Sequence, residues 1–143
     1  SGEEFQFWRQ LSLAGLIEGN YTGLAGTGAA DDLDPSINLP ASKFTNAIWR
    51  VYSMGSQANA FTLTYDVVMV SGLNDQGTAI LTPEQLWNID TKMDDGKPAY
   101  GRIIARPWSG CTTAANATDY AATYSLSSTA TPCLMIVPRL FSQ

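Results

Sequence analysis

The stretch LTPEQLWNIDTKMDDGKP, residues 81–98, constrains the fold most, because it carries a full set of helix start and stop signals. Thr82 supplies a side-chain oxygen for the orphan amides of a first turn. Pro83 fits the first helical position, and Gln85 stands three residues after the cap, where a capping-box partner reaches back. The spacing predicts a helix at about residues 82–95 with Leu86, Ile89 and Met93 as its buried stripe. Gly96 is placed for a left-handed turn and Pro98 forbids continuation. Asp94 and Asp95 oppose the helix macrodipole at this end, so helix stability does not explain them; hydrogen bonds to turn amides or a cation would.

Other elements group around this helix. In EEFQFWRQLSLAGLI, Phe7, Trp8, Leu11 and Ala14 share one side of a short amphipathic helix, with Gly15 as a left-handed stop and Leu16 placed to fold back on the last turn. Residues 18–43 are broken by glycines and prolines and read as loop. From Phe44 to Met54 the chain alternates, setting Phe44, Ile48 and Tyr52 against Ala47, Trp49 and Val51. AFTLTYDVVMV does so again, with Phe61, Leu63, Tyr65, Val67 and Met69 on one face, and the two strands are expected to pair across Gly55 to Asn59. AYGRIIARPW reads as a further strand and PCLMIVPRLF as a last one, whose Pro138 favours a sheet edge. The expectation is an α+β fold in one globular domain, residues 1–143, with two helices and an antiparallel sheet of about four or five strands.

Composition excludes several functions. Charged residues are only 15% of the chain, and the net charge of −5 provides no field for a phosphate backbone or an anionic membrane, so no nucleic acid is expected as partner. No histidine is present, which removes His-based triads and the common zinc sites. Carboxylates remain. Asp31, Asp32, Asp34, Glu84, Asp90, Asp94 and Asp95 are the pool from which a glycosidase pair would be drawn, but solvated loops explain them better, and no enzyme activity and no catalytic residue are assigned. Calcium is the one cofactor for which the sequence offers ligands, in ADDLDP (Asp31, Asp32, Asp34) and in the Asp94-Asp95-Gly96 turn. Neither stretch has the alternating oxygens and distal Glu of an EF-hand. Cys111 and Cys133 bound a segment poor in large apolar residues, for which a disulfide is favoured over two separate buried thiols. Asn20 and Asn116 each begin an Asn-X-Thr sequon.

The order of segments resembles the C-terminal head of type IV pilin-like, prepilin-type bacterial proteins. FWRQLSLAGLIEGNYTG is followed by LPASK and an aromatic strand, then by LTPEQLWNIDTKMDDGKPAYGRI and a Cys-bounded tail ending in PCLMIVPRL. Ile89-Asp90-X-Lys92-X-Asp94-Asp95-Gly96-X-Pro98 and Ala14-Gly15-Leu16-Ile17-Glu18-Gly19 are the most specific elements. The family's long hydrophobic N-terminal helix is missing, as in a truncated chain, a trimmed one, or a split pilin whose helix is a separate short polypeptide. The resemblance implies a structural subunit of an extracellular, cell-surface filament or secretion pseudopilus, exported through the periplasm. It implies self-association through the missing helix or a separate helical chain, with membrane contact only through that helix before assembly. Related pseudopilins of type II secretion bind calcium in loops near the C-terminal end, which adds slightly to the calcium reading without assigning ligands. The rival expectation is a carbohydrate-binding or adhesin module using exposed aromatics such as Trp49, Trp87 and Trp108.

Overall fold

A computed structural model describes residues 2–26, 33–53, 61, 66–73 and 78–138. Its elements are α1 (Gly2–Leu13), β1 (Ala47–Ser53), β2 (Asp66–Gly72), α2 (Pro83–Met93) and β3 (Met135–Pro138). The fold is α+β, with two helices and one antiparallel sheet of three strands in the order β1-β2-β3 among the described residues. The chain divides into two compact units, Ser1–Val51 with Val70–Thr78 and Tyr52–Met69 with Ala79–Gln143.

In the first unit α1 ends on a Schellman motif. Leu16 N–H donates to Leu11 C=O (3.0 Å) and Gly15 N–H to Ser12 C=O (2.9 Å), with Gly15 at φ 68°. The Leu16 side chain nevertheless stays 71% exposed, so the backbone closes the turn without an apolar fold-back. The buried face also differs from the expected one: Phe5 and Trp8 are buried, whereas Phe7 and Leu11 are half-buried and Ala14 is exposed. An ion pair accompanies this face. Glu4 accepts from Arg50 of β1 through both carboxylate oxygens, at 3.0 and 2.9 Å, on the same side of α1 as Phe5 and Trp8. β1 starts later than expected, after Asn46, whose left-handed φ of 54° interrupts the extended backbone. Asn38 is buried and organises the preceding loop, receiving Asp34 N–H on Oδ1 (2.8 Å) and donating to Leu24 C=O (3.3 Å).

In the second unit Met69, Ile104, Leu134 and Ile136 form a buried cluster against which Tyr52 and Trp108 pack. Phe61, Ala99 and Ala122 form another. Residues 62–65 and the expected turn at 55–59 lie outside the described residues, as do Asp31 and Asp32. Residues 99–108, expected as a strand, give only one antiparallel bridge, Ile104 with Ile136. Gly101 at φ 92° and the flanking Pro98 and Pro107 prevent a continuous ladder. β3 is the last strand in the sheet order and ends at Pro138. Cys111 and Cys133 form a disulfide with Cα atoms 5.1 Å apart, and Cys133 also pairs in both directions with Leu81, just ahead of α2. Among the described residues no helix is long and apolar enough to cross a membrane.

Candidate functional site

The acidic end of α2 holds the densest group of chemistry-bearing residues. The helix starts as its sequence dictates: Thr82 Oγ1 accepts from Gln85 N–H (3.1 Å) and Gln85 Oε1 from Thr82 N–H (2.9 Å). Starting there, the helix buries Pro83, Leu86 and Asp90, while Ile89 is half-buried and Met93 is 66% exposed. A fully buried carboxylate therefore occupies the place in the inward stripe expected for Met93. The last helical residue is Met93, with Asp94 as C-cap rather than part of the helix.

Each carboxylate of the turn accepts main-chain or tyrosine donors. Asp90 Oδ1 takes the Gly96 N–H (3.1 Å) and Asp90 Oδ2 the Tyr124 hydroxyl (2.7 Å). Asp94 Oδ2 takes the amides of Arg102 and Ile103, the latter at 3.2 Å. Asp95 Oδ1 takes Lys97 N–H (2.9 Å). Two glycines make this possible. Gly96 turns the chain at φ 72°, and at Gly101, φ 92°, a Cβ would overlap the Asp94 carboxylate.

Burial raises the Asp90 pKa above the ordinary carboxylate value. The hydrogen bonds from Tyr124 and Gly96 oppose that rise, and the nearby charges of Asp95 and Asp94 add to it. Burial, and next the hydrogen bond to Asp90, push the Tyr124 hydroxyl pKa upward, so it stays a donor at every physiological pH. Asp90, Asp94 and Asp95 offer oxygens within 4.8 Å of one another. A calcium ion requires roughly six to eight oxygens. Both oxygens of Asp90, one of Asp94 and one of Asp95 accept from N–H or O–H donors, and these bonds close the turn.

The other candidates are dispersed. Asp34 is exposed in its loop and Glu84 is exposed in the first turn of α2. In the first unit an open groove of about 540 Å³ is lined by Gly2, Glu3, Gln6, Phe7, Gln10 and Leu24, among others, and Glu3 is its one carboxylate among the described residues. Trp49 and Trp87 are half-buried. Trp108 packs on the core beneath the Arg106 guanidinium, 4.6 Å from the ring centre. Tyr100, half exposed, meets Tyr120 at 5.4 Å with planes tilted by 36°.

Sequence reasoning missed Tyr124 and Arg50. Each lies in a stretch whose pattern gives no sign of a buried polar partner 34 or 46 residues away. Compared with known protein families, characterised proteins and solved structures, the chain matches none.

Proposed function

We propose that this chain is a structural subunit, the globular head of a type IV pilin-like filament protein or secretion pseudopilin, acting by assembly rather than catalysis. The observation that carries the reading is the condition of the segment Asp90 to Pro98, where the resemblance is most specific. Its carboxylates are engaged in holding α2, the following turn and Tyr124 of the disulfide-bounded segment together. Residues used this way build a scaffold. The short N-terminal helix, the antiparallel sheet and the disulfide near the C-terminus are in keeping with such a head. In this reading the finer architecture is a pilin-like sheet on which residues 99–108 lie beside β3. Subunits join through a hydrophobic helix absent from these residues or supplied by a second short chain, and the filament stands outside the cell after export through the periplasm.

The test is the intact mass of the protein taken from its native cell surface, with and without reductant. A mass exceeding that of these residues by an N-terminal helix of roughly 30 or more residues supports a pilin head. A native mass equal to these residues, with no short helical chain co-purifying, removes the reading. The carbohydrate-binding rival needs coplanar aromatics open on one face. Trp49 and Trp87 are half-buried, Trp108 is covered by Arg106, and Tyr100 and Tyr120 are tilted, which weighs against it.

A further inference from the structure

The two sequons differ sharply in what surrounds them. At Asn20 the next residue, Tyr21, is buried at 8% exposure with its hydroxyl on Glu18 C=O (3.1 Å). Thr22 is held as well: its N–H donates to Ile37 C=O (3.0 Å) and its hydroxyl is engaged with both the N–H and the C=O of Leu24 at 3.3 Å. An enzyme that must seat the asparagine and the threonine hydroxyl together would have to pull a core tyrosine out of its site.

Asn116-Ala117-Thr118 sits at the tip of an excursion whose base is clipped. Thr112 bridges Tyr124, Thr113 N–H donates to Thr123 C=O (2.9 Å), Thr123 N–H returns to Thr113 Oγ1 (2.9 Å), and Cys111 is fixed by the disulfide. Asn116 and Thr118 are exposed, and the sequence neighbours are small: Ala114, Ala115 and Ala117. The Asn116 side-chain oxygen accepts from Thr118 N–H (2.9 Å) and the Thr118 hydroxyl (2.7 Å). The side chain is exposed, and the threonine hydroxyl lies alongside it.

From this contrast we infer that Asn116 is a site of N-linked glycosylation in the folded protein and that Asn20 is not. The sugar donor is an oligosaccharide carried on a lipid diphosphate. The Asn116 Nδ2 forms the new bond to the anomeric carbon, the bond from that carbon to the diphosphate oxygen breaks with its electron pair, and a base of the transferring enzyme takes one amide proton. The inference does not rest on the filament reading, because it uses only the geometry of the excursion.

The test offers the folded, oxidised protein to an oligosaccharyltransferase with a lipid-diphosphate-linked oligosaccharide, followed by intact mass and peptide mapping. A synthetic peptide spanning residues 112–123 and a standard acceptor peptide run alongside. One glycan increment mapped to Asn116 is expected, retained in Asn20→Gln and Thr118→Ser and lost in Asn116→Gln. Modification at Asn20 in place of Asn116 overturns the inference. So does a folded protein left unmodified while the 112–123 peptide is glycosylated, and so does refusal of both while the standard peptide is glycosylated.

Discussion

Replacing Tyr124 by Phe removes one hydroxyl and leaves the ring, so it isolates the 2.7 Å hydrogen bond to Asp90 Oδ2. Asp90 is wholly buried, and the lost donor cannot be replaced by water without opening the turn. A hydrogen bond to a charged acceptor contributes about 1.5–3 kcal/mol, and one between neutral groups about 0.5–1.5 kcal/mol. The expected loss is therefore about 2 kcal/mol at neutral pH, a fall in Tm of roughly 4–8 °C for a chain of this size.

The size of the loss should depend on pH in a definite direction. Burial holds the folded-state pKa of Asp90 above its unfolded value, so its contribution is fully present below the unfolded pKa and is lost as pH rises through the folded one. The Tyr124 bond offsets that loss by favouring the carboxylate. At pH 7 the variant gives up a charge-assisted bond; at pH 3, with Asp90 protonated in both states, it gives up a neutral one, and the loss shrinks to about 1 kcal/mol. Urea unfolding of wild type and Tyr124→Phe at both pH values, followed by tryptophan fluorescence, measures both numbers. Equal losses at the two pH values, or a larger one in acid, would refute the assignment of Tyr124 as donor to a buried carboxylate.

Other expectations follow from the same contacts. Arg50→Ala strips the Glu4 carboxylate, only 11% exposed, of its guanidinium and should cost about 3–5 kcal/mol in urea unfolding, with most of it recovered in Glu4→Leu/Arg50→Met. A loss under about 1 kcal/mol would mean the pair is solvated. Thr82→Ala breaks the capping box and should lower stability by about 1 kcal/mol, seen as earlier melting of the helical circular dichroism signal. Reduction of Cys111–Cys133, which closes a separation of 22 residues, should lower stability by about 3 kcal/mol, measured as a shift of the urea midpoint with reductant. Millimolar calcium should raise Tm only modestly; a large rise abolished by Asp94→Ala would give the acidic turn a metal role.

Legibility in the sequence followed the range of the interaction. The start of α2 could be read from Thr82, Pro83 and Gln85 because capping is settled within four residues, and its stop from Gly96 and Pro98 for the same reason. The inward stripe was misread at Met93. Hydrophobic periodicity has no means of marking a carboxylate as a core residue when its partner, Tyr124, lies in a different segment. The face of α1 differs likewise, since spacing within the helix carries no sign that Glu4 pairs with Arg50, 46 residues away. Residues 99–108 have the apolar content of a strand, yet the left-handed backbone at Gly101, where the Asp94 carboxylate reaches the following amides, permits only a bridge.

The position of Cys133 has a mechanical consequence. Ile80 and Leu81 donate to its carbonyl, Leu81 accepts its amide, and its sulfur is bonded to Cys111, so one residue is the anchor point for three segments. A pull along the chain would load the Leu81–Cys133 hydrogen bonds, while the covalent link carries the force straight past residues 112–132. Those positions would add no length until the sulfur bridge is broken. Stretching single oxidised and reduced molecules should give contour lengths differing by roughly 70 Å, the extended span of that shielded segment less the 5.1 Å the bridge already covers.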